Sequence, residues 1–208
     1  IMVYRTGSGQ IGALEDRCPH RHLPLSMGKV TGDLIQCAYH GLQLDRTGTC
    51  VSIPSQDFIP PKACVKAYPV HEQYGWIWVW MGDPAVADTA LIPDFHQLTD
   101  PAYGAVGKTN YVRCNYRLVA DNLIDLSHVG FVHTSTIGNP QMGEKGELTV
   151  TREENRVRVH RNVPDVPPPP TYIKSGVLPA GKNIDRWQII DFIPPCFVKI
   201  HVGGAEAG

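Results

Sequence analysis

The sequence has 208 residues, of which 42% are hydrophobic, and a formal net charge of -1 at pH 7. A chain of this length can bury the core of one large domain or two small ones, and its near-neutral charge argues against binding to nucleic acid or anionic membranes. The longest apolar stretch, Trp76–Met81, is too short to span a bilayer, and no secretory signal opens the sequence, so a cytoplasmic protein is expected.

The first eighty residues or so predict short β-strands separated by turns. Two hairpins with Gly in their turns are expected, Ile1–Arg5 with Ile11–Glu15 and Gly41–Asp45 with Cys50–Ile53. The run Trp76–Trp80 predicts a further strand with indole rings on one face. These elements indicate a small β-rich domain over residues 1–82.

Residues 83–208 predict a second domain of mixed type. A connector with weak periodicity runs to about Pro101, and the segment from Tyr116 to about Phe131 has the apolar spacing of a helix. A run of four prolines, Pro167–Pro170, predicts a loop. Four strand-like segments surround it, namely Glu147–Arg152, Val157–Val163, Arg186–Ile193 and Phe197–Val202. The expected fold class is therefore α+β.

Two Cys–His pairs lie in loops of the first domain, Cys18-x-His20 and Cys37-x-x-His40. In a Rieske [2Fe–2S] centre one iron binds two thiolates and the other binds two imidazoles. Each loop must then supply one ligand to each iron, and one Cys with one His on each loop meets that requirement. The pattern predicts a Rieske cluster. His22 is not needed for it and is interpreted as a loop residue.

A structural zinc site also accepts two Cys and two His, and is the alternative interpretation of this pattern. Zinc fingers usually place both Cys before both His, whereas the order alternates here, and the spacing from Cys18 to His20 is tight for one tetrahedral ion. The other cysteines lack a partner at ligand spacing and are expected to be small buried apolar side chains. They are Cys50, Cys64, Cys114 and Cys196.

The predicted helix and the residues after it carry a second set of possible ligands. Non-haem Fe(II) that activates O₂ is typically held by two His and one carboxylate. Asp125 and His128 would share a helix face, but His133 lies about 140° round the helix from His128. Both histidines could reach one metal only if the helix ends or bulges between them, and Gly130 is a candidate for that break. An ordinary solvated helix face is the alternative.

Taken together, these residues resemble the Rieske non-haem iron oxygenases, and within them the branch of the vanillate O-demethylase oxygenase components and dicamba monooxygenase. The similarity extends over nearly the whole chain. It is carried by Cys18-Pro19-His20-Arg21, Tyr39-His40-Gly41-Leu42, Trp80-Met81-Gly82-Asp83-Pro84, Ile92-Pro93-Asp94-Phe95, Cys114-Asn115-Tyr116-Arg117-Leu118, the run from Asp121 to His128, His133, and Arg186-Trp187-Gln188-Ile189.

The resemblance implies a role for each candidate residue. Cys18 and Cys37 would bind one iron of the [2Fe–2S] cluster, and His20 and His40 the other. His128 and His133 would bind a mononuclear Fe(II). Asp125 would connect a histidine on that iron to a Rieske histidine of a neighbouring subunit in a homotrimer, and Asn122 would lie near the iron.

The resemblance also implies a function. The protein would be the terminal oxygenase component of a monooxygenase, supplied with NADH-derived electrons by a separate flavin and ferredoxin-type reductase. It would use O₂ to oxidise a small methoxylated aromatic compound such as vanillate, releasing the O-methyl carbon as formaldehyde. The second domain would be the N-terminal part of a helix-grip-like catalytic domain that is incomplete here. In the family the carboxylate ligand lies further downstream, and neither Asp185 nor Asp191 is where the family places it.

Three other functions remain open at this point. A stand-alone Rieske ferredoxin would need only residues 1–82, but it leaves the second set of ligands unexplained. Iron content would separate it from an oxygenase, since only the oxygenase holds a mononuclear iron as well. A zinc-binding interaction module is the second alternative. The third stays within the family and replaces O-demethylation by ring hydroxylation, N-demethylation or oxidation of a sulfonate's methyl group.

Overall fold

The computed structural model describes residues 1–176, 178 and 181–208, and the chain divides into two compact units, Ile1–Lys108 and Thr109–Gly208. Antiparallel sheets dominate both units and the helices are few and short among the described residues, which confirms the predicted α+β class. Residues 83–108 cluster with the first unit, and the domain boundary after residue 82 remains a prediction.

The first unit is built from short antiparallel strands. They are β1 Met2–Arg5, β2 Ile11–Leu14, β3 Lys29–Thr31, β4 Leu34–Gln36, β5 Gln43–Leu44, β6 Cys50–Ser52, β7 Val70–Gln73 and β8 Trp76–Val79. β1 pairs with β2, β7 pairs with β8, and β3 to β6 form one sheet in chain order. Both predicted hairpins and the tryptophan strand are therefore confirmed.

Gly48 shows why the second hairpin turns as it does. Its φ is 80°, in the left-handed region that side chains rarely adopt. A Cβ at this position would stand 2.1 Å from the carbonyl oxygen of Val65, so only glycine lets the two backbones approach this closely.

The hydrophobic core of the first unit reaches into the two loops between the strands. Leu14, Leu25 and Leu44 are fully buried, and Cys18 and Cys37 belong to the same cluster of side chains. Truncating a leucine in such a core to alanine costs about 2–5 kcal/mol. The two cysteines of the predicted cluster are thus fixed to the best-packed part of the unit.

The connector after β8 consists of single 3₁₀ turns, at Pro84–Val86, Thr89–Leu91 and His96–Leu98. Asp83 and Asp88 begin the first two turns by accepting hydrogen bonds from the backbone amides of Ala85 and Ala90. Because these turns are capped locally and end after three residues, the segment shows no hydrophobic periodicity that extends over several turns.

The second unit packs short helices on one antiparallel sheet. Among the described residues its helices are α1 Tyr116–Ile124, α2 Val129–Val132 and α3 Pro170–Lys174, and its strands are β9 Glu147–Glu153, β10 Arg156–Val166, β11 Ile184–Ile193 and β12 Phe197–Glu206. The strand order is β12-β11-β10-β9. All four predicted strands are confirmed. The proline run is a loop up to Pro169, but Pro170 begins α3, since the first position of a helix tolerates proline.

The single helix predicted from Tyr116 to Phe131 is wrong in its extent. α1 ends at Ile124 because Asp125 has an extended backbone, with ψ 104°, and its carboxylate accepts a hydrogen bond from the amide of Ser127 at 2.7 Å. Such a local bond competes with helix formation. One break therefore lies before His128. The break expected at Gly130 is absent, because Gly130 lies within α2 and faces the carbonyl oxygen of Asn139, and the helix ends instead at Val132.

The prediction that the four remaining cysteines are buried is confirmed only for Cys50. Cys64, Cys114 and Cys196 are exposed, because they lie in connections between the named helices and strands, where side chains face solvent. None of the helices in the described part of the chain has the length and apolar character needed to cross a membrane.

Candidate metal centres

The two loops that carry the Cys–His pairs close in the same way. In each loop the Cys amide donates to the carbonyl five residues ahead, and the Cys carbonyl accepts from the amide four residues ahead. The bonds are Cys18 N to Leu23 O (2.9 Å), His22 N to Cys18 O (3.0 Å), Cys37 N to Leu42 O (2.8 Å) and Gly41 N to Cys37 O (3.1 Å). Each Cys is thus held at the start of a tight turn.

The fourth residue after each Cys has a left-handed backbone, with φ 77° at Gly41 and φ 59° at His22. Glycine adopts this conformation without cost, whereas a side chain is strained there. The His22 side chain compensates in part, since its Nδ1 lies 2.9 Å from a guanidinium nitrogen of Arg17. His22 therefore shapes the loop, in keeping with its interpretation as a loop residue.

The turns bring the first pair of imidazoles close together. The Nδ1 atoms of His20 and His40 lie 3.1 Å apart, and the ring centroids are 4.5 Å apart at an angle of 59°. Two nitrogens bound to one metal at about 2.0–2.1 Å each stand roughly 3.0–3.4 Å apart. The two rings are therefore spaced as ligands of one iron should be.

The two thiols, those of Cys18 and Cys37, lie inside the core. Cys18 and Cys37 are each 2% exposed. Burial raises the pKa of the Cys18 thiol, the neighbouring Cys37 raises it further, and backbone hydrogen bonds from His20 and Arg21 act in the opposite direction. Metal coordination deprotonates a thiol outright, so a bound iron would remove the penalty that burial imposes here.

The arrangement has the asymmetry that a Rieske cluster needs. The two thiols are buried, whereas both histidines are exposed, and the ring of Tyr39 stacks on that of His40 with centroids 3.9 Å apart. The described residues therefore fit the [2Fe–2S] group, with a sulfur pair inside and a nitrogen pair at the surface.

His128 and His133 form the second pair, one at each end of α2. Their ring centroids lie 5.2 Å apart at 63°. On a continuous helix five residues would turn the two side chains away from each other. α2 ends at Val132, and His133 has a non-helical backbone with φ -109° and ψ 24°, so the helix ends between the two histidines and both rings turn to the same side.

Asp125 lies next to this pair. Its Oδ2 is 3.9 Å from Nδ1 of His128, which is too long for a hydrogen bond, and this Nδ1 is buried without a hydrogen-bond partner among the described residues. The hydrogen bonds from Ser127 lower the pKa of the Asp125 carboxyl. Since Nδ1 faces Asp125, Nε2 is the nitrogen left for a metal.

The other carboxylates near the sheet are engaged elsewhere. Asp185 accepts a hydrogen bond from the amide of Asp165 at 3.0 Å, and Asp191 binds the guanidinium of Arg158 at 2.7 and 2.8 Å. Asn122 is exposed on α1. Within the described ranges, no group of three or more His, Cys, Asp or Glu side chains is placed to hold one metal ion.

Sequence reasoning missed Arg161 and Arg186, which contact the segment that carries the second histidine pair. A signal for Arg161 was present, because it stands between Val159 and Val163 at the alternate positions of a strand whose other inward side chains are apolar. A charged residue at such a position needs a buried partner.

Comparison with known proteins agrees with this geometry. Residues 1–69 match the family described as Rieske [2Fe-2S] domain, and residues 112–208 match the one described as Vanillate O-demethylase oxygenase C-terminal domain. The chain is 39% identical to a vanillate O-demethylase oxygenase subunit of Pseudomonas sp. (strain ATCC 19151), covering 100% of this chain and 64% of the relative. It is 35% identical to the iron-sulfur subunit of the toluene-4-sulfonate monooxygenase system of Comamonas testosteroni, covering 100% and 60%.

A solved structure is similar as well. Dicamba monooxygenase bound to 3,6-dichlorosalicylic acid superposes with a TM-score of 0.92 at 35% identity, over 99% of this chain and 60% of that one, and another structure of dicamba monooxygenase contains non-heme iron and dicamba. The chain thus spans somewhat less than two thirds of the length of these proteins, 64% and 60% of the two relatives and 60% of the solved chain.

Proposed function

Since the chain belongs to the Rieske oxygenases related to vanillate O-demethylase, we propose that it is part of the terminal oxygenase component of a monooxygenase that oxidises a small aromatic compound. The observation that carries this proposal is the presence of two different ligand sets in one chain. The first joins two buried thiols to a histidine pair with Nδ1 atoms 3.1 Å apart, and the second is the histidine pair around α2.

Each set suits one part of the chemistry. A Rieske cluster supplies one-electron transfer at a raised reduction potential, and a mononuclear Fe(II) supplies O₂ activation. Cys18 and Cys37 would bind the inner cluster iron and shield it from water, while His20 and His40 would bind the outer iron at the surface, where electrons enter and leave. His128 and His133 would bind the mononuclear iron.

Asp125 would connect the two centres. Its carboxylate faces Nδ1 of His128, so a short movement lets it accept a hydrogen bond there and fix the ring with Nε2 free for the iron. The Asp125 side chain is 53% exposed, and His20 and His40 are exposed too. A Rieske histidine of a neighbouring subunit could therefore reach it, as it would in the homotrimer that we propose. Asn122, three residues before Asp125, would lie near the iron.

The substrate that we propose is a methoxylated benzoate such as vanillate, and the reaction is O-demethylation. The identity of 39% with a vanillate O-demethylase subunit supports it, while the toluene-4-sulfonate monooxygenase subunit at 35% shows that related chains serve other aromatic substrates. A separate NADH-dependent reductase would supply the electrons.

Formaldehyde release tests this proposal. The full-length protein, loaded with iron and supplied with NADH and a reductase, should release formaldehyde from vanillate in an O₂-dependent reaction. The matched control is 4-hydroxybenzoate, which has no methoxy group and should give none. Consumption of NADH with a hydroxylated ring as the product, and no formaldehyde from any methoxybenzoate, would show that the proposed reaction is wrong.

A further inference from the structure

Two buried arginines lie on the inward face of the sheet in the second unit. Arg161 of β10 is 6% exposed and Arg186 of β11 is 3% exposed. In the described part of the chain neither forms an ion pair with an Asp or Glu, although Arg158 on β10 binds Asp191 with two hydrogen bonds. Taking a cation out of water without a counter-charge is unfavourable, so these guanidinium groups need another form of compensation.

Backbone carbonyls provide part of it, while Nε of each arginine is buried without a hydrogen-bond partner among the described residues. Arg161 donates from Nη1 to the carbonyl oxygen of Leu126 at 3.0 Å and from Nη2 to that of Met142. Arg186 donates from Nη1 to the carbonyl oxygen of Ile137 at 2.7 Å and lies 2.8 Å from the sulfur of Met142. Its guanidinium also stands over the ring of Tyr172, 5.3 Å from the centroid.

These carbonyls lie on both sides of the second histidine pair. Leu126 is two residues before His128, and Ile137 is four residues after His133. Residues 126–142, here named the ligand segment, are thus tied to the sheet near both ends. The two arginines meet at Met142, which is fully buried in the core of the second unit.

The packing leaves Arg161 little freedom. Gly146 lies directly against it, and a Cβ on this glycine would stand 2.7 Å from Nε of Arg161. Arg161 bridges two carbonyls with the two ends of its guanidinium, and Arg186 combines a hydrogen bond from Nη1 with a position over the Tyr172 ring. The single ammonium of lysine cannot reproduce either geometry. Charge alone would therefore not replace either arginine.

We propose that Arg161 and Arg186 are positioning residues that hold the ligand segment on the sheet so that His128 and His133 face one metal ion. This inference rests on the proposed function, because it takes the two histidines as iron ligands. It adds that Arg161 and Arg186 determine the geometry of the iron site by holding the ligand segment on the sheet, without contacting the metal or the histidines.

Iron binding by conservative variants tests the proposal. In the full-length protein with an intact cluster, the mononuclear site is emptied with a chelator and titrated anaerobically with Fe(II) alone in a calorimeter. Arg161→Lys and Arg186→Lys should each weaken binding by about 10–100-fold, the range found when a group that orients a ligand is lost. The visible absorption of the cluster should not change. Arg158→Lys is the matched control, since it lies on the same strand but touches Asp191 and not the ligand segment, and its Fe(II) affinity should equal that of the wild type.

The possible outcomes distinguish the iron assignment of the two histidines from the positioning role of the two arginines. If the wild type binds no Fe(II) that His128→Ala abolishes, the iron assignment itself fails. If the wild type binds but both arginine variants bind within twofold of it, the iron assignment stands and the positioning role is wrong. Equal weakening in Arg158→Lys, or loss of the cluster or of the folded protein in both variants, would mean that the arginines only stabilise the domain, and would also overturn the proposal.

Discussion

At the scale of single residues, Asp125 has two contacts that can be separated by mutation. One carboxylate oxygen accepts the amide hydrogen of Ser127 at 2.7 Å and ends α1. The other faces Nδ1 of His128 at 3.9 Å. The first contact needs only an oxygen acceptor, whereas the second depends on negative charge next to the imidazole.

Asp125→Asn should therefore keep the turn and lose the charge. The amide oxygen of asparagine can still accept from Ser127, so both metal centres should remain occupied. Substrate-coupled turnover should fall by about 100-fold, at the upper end of the effects seen when a ligand-orienting group is lost, because the proposed connection between the centres is removed. Iron analysis and NADH-dependent product formation measure the two quantities.

Asp125→Ala is the control, since it removes the turn as well and should also weaken iron binding. Near-normal coupled turnover in Asp125→Asn would show that Asp125 is not the connection.

The residues proposed to bind the cluster can be recognised in the sequence because coordination chemistry restricts their types. Few residue types can bind iron, so Cys18, His20, Cys37 and His40 stand out by type and spacing. The left-handed position of Gly41 is visible for the same kind of reason. The left-handed backbone of His22, with φ 59°, cannot be predicted from the sequence, because the residue type histidine does not indicate the conformation that the loop imposes on it.

At the scale of helices and strands, the sheet of the second unit is predicted more closely than its helices. Strands β9 to β12 follow from alternating hydrophobic residues. The end of α1 at Ile124 does not, because the apolar spacing continues through the segment while a side-chain bond from Asp125 stops the helix. Competition between one hydrogen bond and a weak propensity is decided by energies too small to be read from a pattern.

The charged side chains of β10 and β11 differ between the two faces of the sheet. The inward face holds Arg161 and Arg186. Arg158 and Asp191 lie directly opposite each other on the same two strands and form an ion pair. The hydrogen bond from Arg158 and the positive charges of Arg158 and Arg156 lower the pKa of the Asp191 carboxyl. Burial acts in the opposite direction but is outweighed.

This pairing predicts an acid-sensitive share of stability. Because the folded pKa of Asp191 is lowered, its contribution is fully present above the unfolded pKa of about 3.9 and is lost as pH falls through that value towards the folded pKa. Asp191→Asn should reduce the free energy of unfolding at pH 6 by about 1–3 kcal/mol. The difference from the wild type should shrink as the pH falls below about 4.

Urea unfolding of both proteins, followed by tryptophan fluorescence at pH 6 and again below about pH 4, measures this difference in the free energy of unfolding. A difference that stays constant with pH would mean that the ion pair adds nothing to stability.

At the scale of the whole molecule, the two candidate centres belong to separate compact units. The proposed cluster ligands Cys18 and Cys37 belong to the core around Leu14, Leu25 and Leu44, and the segment that carries the second histidine pair packs into the core of the other unit through Leu126 and Val129. The order of the two domains could be predicted from the sequence, because each has its own motif and periodicity. The buried cations that hold the ligand segment could not, since their partners are backbone carbonyls, which every residue has.

The proposed function depends most on a [2Fe–2S] cluster bound by two sulfurs and two histidine nitrogens. Pulsed EPR of the dithionite-reduced protein, with its histidines labelled with ¹⁵N, measures those nitrogens directly. We expect two strong ¹⁵N couplings of directly bound imidazoles, and loss of the cluster signal in His40→Ala. A reduced cluster without strongly coupled histidine nitrogen, or a protein that contains zinc and gives no reduced-state signal, would contradict it.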